Sequence, residues 1–144
     1  MATNEAETPN ADQIAYWNEA GGSVWVEMQA QLDRMTAPFS RQVVEVLAPA
    51  PGERLLDIGC GSGGSTLELA RRVGPGGQVL GLDISAPMLG LARRRAAEAG
   101  LDNVRFVEAD AQTARIEPGG YDGLFSRFGV MFFDDPVAAF TNLH

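Results

Sequence analysis

The chain has 144 residues, 45% of them hydrophobic and 21% charged, which is typical of one globular domain with its own core. Its 11 basic and 19 acidic side chains leave a net charge of −8, which argues against a general nucleic-acid-binding or anionic-membrane-binding surface. A single cysteine, Cys60, excludes an intrachain disulfide framework and predicts a reducing, cytoplasmic setting. No signal peptide and no run apolar enough for membrane insertion is recognised.

The first third of the chain predicts a helical segment. From Asn10 onward, apolar residues recur at helical spacing, with a break expected at Gly21-Gly22 and a second periodic run opening at Pro38. We therefore expect residues 1–48 to form a helical lid or cap and residues 49–144 to form the main domain.

Strand and helix patterns alternate through the main domain. Ser65 and Glu68 have the spacing of a helix capping box, Ser85 precedes a second helix with Pro87 in its first turn, and a last helix starts near Asp135. This alternation predicts an α/β fold with an open parallel sheet and helices on both faces. The expected strands are residues 54–58, 78–84, 104–109 and 121–127.

The first strand–helix turn, Asp57 to Gly64, reads DIGCGSGG and is the clearest candidate for a binding loop. Ligands of open α/β sheets bind beyond the carboxyl ends of the strands, and glycines let a ligand lie against bare backbone. Gly59, Gly61 and Gly64 have the dinucleotide spacing G-x-G-x-x-G, with an acidic residue, Asp83, further on. The spacing D-x-G-x-G-x-G is equally present, so the glycines leave two kinds of nucleoside cofactor open.

Three aspartates favour one of these readings. Asp57, Asp83 and Asp110 follow or end the first three strands, so we expect all three to face one crevice. Such a cluster would repel a pyrophosphate but suits S-adenosylmethionine, whose sulfonium and ammonium outnumber its carboxylate. Asp83 can accept from both ribose hydroxyls with its two oxygens. The alternative for each aspartate is a helix or turn cap.

Four motifs, in order, resemble those of class I S-adenosylmethionine-dependent methyltransferases. They are LLDIGCGSGGSTLELA (55–70), VLGLDIS (79–85), FVEADAQT (106–113) and YDGLFSRFGVMFFDDP (121–136). The sequence is most similar to the small-molecule group that includes the ubiquinone and menaquinone C-methylases. The resemblance implies a Rossmann-like sheet of strand order 3-2-1-4, S-adenosylmethionine as cofactor and methyl transfer to a small-molecule acceptor.

The resemblance also implies the residues that hold the cofactor, and no metal. The glycine loop and the residues after the fourth strand would hold the methionyl portion, the end of the second strand the ribose and adenine, and the turn after the third strand the adenine edge. The implied set is Asp57, Gly59, Cys60, Gly61, Ser62, Gly63, Asp83, Ile84, Met88, Asp110, Ala111, Ser126 and Arg127. Tyr16, Trp17 and Trp25 would form part of the lid, with core packing as the alternative.

No catalytic residue is identified. The only histidine, His144, is the last residue, and Cys60 has no histidine partner in the sequence that would activate it. By the same resemblance, we expect the family's strands 5–7 to be absent and the fourth strand to be an exposed edge where two copies could pair as a homodimer. The alternative functions are a non-catalytic or truncated S-adenosylmethionine-binding module and an NAD-type oxidoreductase.

Overall fold

A computed structural model describes residues 8–144, so residues 1–7 of the expected helical segment lie outside the described part. The segment forms three helices, α1 (Ala11–Asn18), α2 (Ala20–Glu27) and α3 (Gln29–Leu47). In residues 8–144 we find no helix with the length and apolar character needed to cross a bilayer.

The expected break at Gly21-Gly22 is wrong, because both glycines lie inside α2 and the breaks fall at Glu19 and Met28. A Cβ on Gly22 would lie 2.0 Å from the Trp17 carbonyl oxygen and 2.8 Å from Ser85 Oγ. The glycine is therefore needed for close packing of α2 rather than for chain termination.

The expected second helix start at Pro38 is also wrong, since Pro38 lies within the continuous helix α3. Pro38 and Arg34 are both exposed, so the carbonyl that loses its backbone donor lies on the face of the helix that water can reach. The free-energy cost of a proline inside a helix is lower on such a face, because water can bond to the free carbonyl.

The main domain alternates strands and helices as expected. Its elements are β1 (Arg54–Ile58), α4 (Gly64–Val73), β2 (Gln78–Asp83), α5 (Ala86–Glu98), β3 (Val104–Glu108), β4 (Gly123–Phe125), a 3-10 turn (Gly129–Phe132) and α6 (Pro136–Leu143). All neighbouring strands are parallel and the order is β3-β2-β1-β4, which confirms the α/β open sheet and the order 3-2-1-4.

Helices cover the sheet on both faces. Val44 of α3 and Leu69 of α4 belong to the buried cluster on one side, and Leu143 of α6 belongs to the cluster on the other. Neighbouring residues of β1 are divided between the two clusters, because successive side chains of a strand point to opposite faces. Leu55 and Leu56, both fully buried, are the central pair.

The fourth strand is shorter than the expected 121–127. Side chains also join its two ends to β1: Asp122 Oδ2 accepts from the Arg54 amide at 2.8 Å, and Ser126 Oγ donates to the Ile58 carbonyl at 2.8 Å. β4 lies at the end of the sheet, and its Leu124 is 44% exposed.

The expected helix cap at Ser85 is confirmed, and the last helix starts where it was expected, with Asp135 as its cap. Ser85 Oγ accepts from the Met88 amide at 3.4 Å and Asp135 Oδ1 accepts from the Ala138 amide at 2.9 Å. The capping box at Ser65 is wrong, because α4 starts after Gly63 and Ser65 Oγ donates instead to Asp57. A buried carboxylate needs hydrogen-bond donors, and this need outweighs a side-chain cap on α4.

Candidate functional site

A cavity of about 340 Å³ opens beyond the carboxyl ends of β1, β2 and β3, with α1–α3 forming its other wall. This is where an open α/β sheet is expected to bind its ligand. Ten of the thirteen cofactor residues expected from the sequence line it: Gly59, Cys60, Gly61, Ser62, Asp83, Ile84, Met88, Asp110, Ala111 and Arg127. Asp57, Gly63 and Ser126 do not.

The glycine loop is held by close backbone contact. Gly59 has φ +66°, and a Cβ there would lie 2.6 Å from Gly129 Cα. Gly129 follows β4, and a Cβ on it would lie 2.6 Å from the Ile58 carbonyl oxygen. The two glycines therefore press the β1 loop against the segment after β4 and leave bare backbone toward the cavity.

Asp57 lies beneath the loop rather than in the cavity wall, so the expectation that all three aspartates face one crevice is wrong for this residue. Its side chain is fully buried, and Oδ2 accepts from Ser65 Oγ at 2.8 Å and Thr66 Oγ1 at 2.7 Å. Burial raises the pKa of Asp57 to about 6, against the two hydroxyl donors and the Arg127 charge, which lower it. Its role is to fix the start of α4 from below.

Asp83 lies in the wall at the end of β2 and organises the loop. Oδ2 accepts from the Gly61 amide at 2.7 Å and Oδ1 accepts from the Ser85 amide at 2.9 Å. Burial raises the pKa of Asp83, and these backbone donors partly oppose that rise. Each oxygen keeps a second lone pair that can accept from a ligand hydroxyl.

The turn after β3 carries Asp110 and Ala111 on the adjoining part of the wall. Asp110 Oδ1 accepts from the Gln112 amide at 2.9 Å, and Oδ2 accepts from Asn10 Nδ2 at 2.8 Å. Asn10 was not expected from the sequence. It is 3% exposed, lines the cavity and comes from the segment before α1.

Arg127 is the cation that lines the cavity. Its Nη1 donates to Ser40 Oγ of α3 at 2.8 Å, and no carboxylate of residues 8–144 lies within ion-pair distance of it. Ser126, next to it, points away and anchors the end of β4 to β1. An anionic group in the cavity would find its charge partner in Arg127.

An aromatic and polar surface from the N-terminal helices completes the wall. The Trp17 ring centroid lies 5.6 Å from those of Trp25 and Phe132, both in edge-to-face geometry, and all three line the cavity. Tyr16, which we expected beside them, is 54% exposed and packs outside the cavity against Trp17.

Asp33 is a second wall residue that sequence reasoning missed. Its Oδ2 pairs with Arg95 Nη2 at 2.7 Å, while Arg95 Nη1 donates to the Ser62 carbonyl at 2.7 Å. A Cβ on Gly64 would lie 3.0 Å from Asp33 Oδ1, so a carboxylate stands at the first residue of α4. No local sequence pattern distinguishes Asp33 from other polar residues of an amphipathic helix.

The described residues give no support to nucleophilic catalysis by Cys60. Cys60 is buried, and burial raises its thiol pKa well above the usual range, with Asp57 and Asp83 adding to the rise. In the described part of the chain, no group of three or more His, Cys, Asp or Glu side chains has the arrangement of a metal site.

Comparison with known proteins shows similarity to methyltransferases. The profile of a methyltransferase domain family matches residues 55–144. Aklanonic acid methyltransferase DauC of Streptomyces sp. (strain C5) is 38% identical over 102 residues, which are 71% of this chain and 46% of that protein. Demethylmenaquinone methyltransferase of Thermus thermophilus is 38% identical over 106 residues, which are 74% and 47%.

A solved structure is also similar. Phosphoethanolamine N-methyltransferase 2 of Haemonchus contortus, in complex with S-adenosylhomocysteine, superposes with a TM-score of 0.68 at 30% identity, over 74% of this chain and 24% of that one. The chain spans about half the length of the curated relatives it matches.

Proposed function

The chain belongs to the S-adenosylmethionine-dependent methyltransferase family, and from this premise we propose that it binds S-adenosylmethionine in the cavity and transfers its methyl group to a small-molecule acceptor. One observation carries the proposal: a glycine loop with bare backbone shares one cavity with Asp83 and Asp110. An acidic wall suits a cofactor of net positive charge.

We assign the nucleoside half of the cofactor to the ends of β2 and β3. Asp83 is placed to accept from the ribose hydroxyls with the lone pairs that its backbone donors leave free. Ile84 and Met88 supply apolar surface for the adenine, and Asp110 an acceptor for its amino group, with the Ala111 amide as the matching donor. All five residues line the cavity.

We assign the methionyl half to the loop from Gly59 to Ser62 and to Arg127. Ser62 Oγ is buried and has no hydrogen-bond partner among residues 8–144, so a ligand carboxylate or ammonium there would satisfy it. Arg127 offers the charge for the carboxylate. Asp57, Gly63 and Ser126 support this half from behind the wall, where Gly63 (φ +82°) begins α4.

The chemistry asked of the protein is mainly positioning. When bound, the cofactor supplies a methyl group on a sulfonium, which is already a good leaving group. The residues of the wall must hold the acceptor in line with that methyl and keep water out, and such alignment contributes on the order of 7–11 kcal/mol. Asp33 is engaged with Arg95, so we assign it no proton transfer.

We propose that α1–α3 act as a lid and that their aromatic surface faces the acceptor. Trp17 and Trp25 of the lid pack edge to face with Phe132 of the 3-10 turn, and the three rings offer an apolar wall. Two relatives are named for methylating aklanonic acid and demethylmenaquinone, and we take these compounds as the first acceptors to try. A cytoplasmic setting, supported by the single cysteine, and a homodimer through the edge of β4 belong to the same proposal.

The dinucleotide alternative is disfavoured by the place of Asp33. In that reading Gly64 would begin the helix whose N-terminus holds the pyrophosphate. A Cβ built on that glycine would lie 3.0 Å from Asp33 Oδ1, so a carboxylate oxygen stands beside the start of the helix and would repel the phosphates.

The test is calorimetric titration of the chain with S-adenosylhomocysteine and, separately, with NADH. We expect saturable binding of S-adenosylhomocysteine only, and Asp83→Ala should weaken it by about 1–3 kcal/mol, the range for a hydrogen bond to a charged group. Asp122→Ala is the matched control, since Asp122 lies outside the cavity and bonds only backbone. Binding of NADH without S-adenosylhomocysteine would refute the proposal.

A transfer assay then separates an enzyme from a binding module. Labelled S-adenosylmethionine is incubated with demethylmenaquinone or aklanonic acid, and the methylated product is sought by mass spectrometry. Light scattering of the same sample tests the proposed homodimer.

A further inference from the structure

Asn10 occupies an unusual position at the start of α1. It precedes the first helical residue, where an asparagine commonly caps its own helix, yet its side chain makes no such capping bond. Its backbone is left-handed, with φ 57° and ψ 22°, a conformation that asparagine tolerates better than most residues. The side chain is therefore free to serve another part of the fold.

That other part is the turn after β3. Asn10 Nδ2 donates to Asp110 Oδ2 at 2.8 Å and to Gln112 Oε1 at 3.1 Å, and its Oδ1 accepts from the Asp134 amide at 2.7 Å. The Asn10 backbone amide also donates to the Asp134 carboxylate. Every polar group of the side chain is used, and three segments remote in sequence meet at one residue.

Asn10 and Asp110 both line the cavity, at the part that the proposed function assigns to the adenine. A carboxylate rotates about its terminal bond unless donors hold it. Asp110 is held by one donor from its own turn, the Gln112 amide, and by one from the N-terminal segment, Asn10. The orientation of the acceptor for the adenine amino group thus depends on a residue 100 positions earlier in the sequence.

Resting on the proposed function, we propose that Asn10 is a positioning residue for adenine recognition, which orients the Asp110 carboxylate and fastens α1 over the nucleoside end of the cavity. Asn10 acts through Asp110 and does not have to touch the reacting atoms. The consequence is that base selectivity, and not only affinity, depends on the N-terminal helical segment.

The experiment compares S-adenosylhomocysteine with S-inosylhomocysteine, in which a carbonyl oxygen replaces the amino group of the base and the neighbouring ring nitrogen N1 carries a hydrogen. The change at N1 affects the Ala111 amide equally in wild type and variants, so the change in ratio between them reports Asp110. Wild-type protein should prefer the adenine ligand, because Asp110 can accept from an amino group but not from a carbonyl. Asn10→Gly keeps the left-handed backbone and removes both side-chain donors. We expect this variant to reduce the ratio of the two affinities about tenfold.

Two further variants make the result specific. Asn10→Asp keeps the size of the side chain and its acceptor for the Asp134 amide but cannot donate to Asp110, so it should lose selectivity as Asn10→Gly does. Asn142→Ala is the matched control: Asn142 Nδ2 donates to the Ala111 and Ala114 carbonyls of the same turn but does not contact the Asp110 carboxylate. It should leave the ratio within twofold of wild type, whatever it does to stability.

In an Asp110→Ala background, Asn10→Gly should change the ratio less than twofold, because the acceptor through which Asn10 acts is gone. An unchanged ratio in Asn10→Gly, with S-adenosylhomocysteine still bound by the wild type, overturns this inference alone. Failure of the wild type to bind S-adenosylhomocysteine removes the proposed function and this inference with it.

Discussion

The buried Asp57 predicts an unusual dependence of stability on pH, which the variant Asp57→Asn can isolate. Burial raises the pKa of this carboxyl from its ordinary 3.8 to about 6 in the folded chain. At about 1.4 kcal/mol for each pKa unit, this difference corresponds to about 3 kcal/mol of folding free energy.

The sign follows from where the protons bind. Between pH 3.8 and about 6 the folded chain holds more of the Asp57 proton than the unfolded chain does. The contribution of Asp57 to stability therefore increases as pH falls through about 6 and is complete below the ordinary value. Between pH 7 and pH 5 we expect a gain of about 1 kcal/mol from this residue.

The assay is urea unfolding of wild type and Asp57→Asn at half-unit steps from pH 7.5 to pH 4.5. Asp83, whose pKa burial also raises, titrates in both proteins, so the difference between the two curves reports Asp57. The test is how this difference in unfolding free energy changes with pH. Its value at any one pH is not the test, because the asparagine amide makes hydrogen bonds of its own that shift the difference by the same amount at every pH. Parallel curves for the two proteins would refute the reasoning.

Three further predictions concern the loop and the wall of the cavity. Gly129→Ala should cost roughly 1–3 kcal/mol in urea unfolding because its Cβ would meet backbone at 2.6 Å, whereas Gly76→Ala, with nothing nearer than 4.0 Å, should be close to neutral. Arg127→Met should weaken S-adenosylhomocysteine binding about tenfold but leave 5′-methylthioadenosine, which has no carboxylate, unaffected; equal losses for both ligands would contradict its role. Asp33→Asn should cost about 1–2 kcal/mol in urea unfolding, since it breaks the pair with Arg95, in which the Arg95 side chain is 22% exposed and the Asp33 side chain 30%. Glu68→Gln breaks the more exposed pair with Arg72, and a smaller loss for Asp33→Asn than for Glu68→Gln would contradict this.

Local chemistry explains why so much of the sheet was predictable. β1 matched its expected bounds of 54–58, because a short apolar run between a Pro-Gly turn and a glycine loop has few alternatives. The cap at Ser85 and the start of the last helix near Asp135 were predictable for the same reason: each depends on residues within four positions in the chain. The four-strand order required the family resemblance, which periodicity does not supply.

Two of the errors occurred where a residue makes a tertiary contact that its local sequence does not reveal. Ser65 has the local signature of a cap, but the burial of Asp57 recruits its hydroxyl. Gly22 has the local signature of a break, but it is needed where α2 meets Trp17 and Ser85. In both cases a tertiary contact outweighs a local preference of about 1 kcal/mol.

The sequence by itself determined the alternation of strands and helices, the glycine loop and the position of Asp83 and Asp110 at strand ends, because each depends on neighbours in the chain. Only the tertiary structure decided that Asp57 lies below the loop, that Asp33 stands at the start of α4 and that Asn10 holds Asp110. These placements depend on burial and on hydrogen bonds between segments far apart in sequence, and such interactions produce no periodic pattern of residues in the sequence.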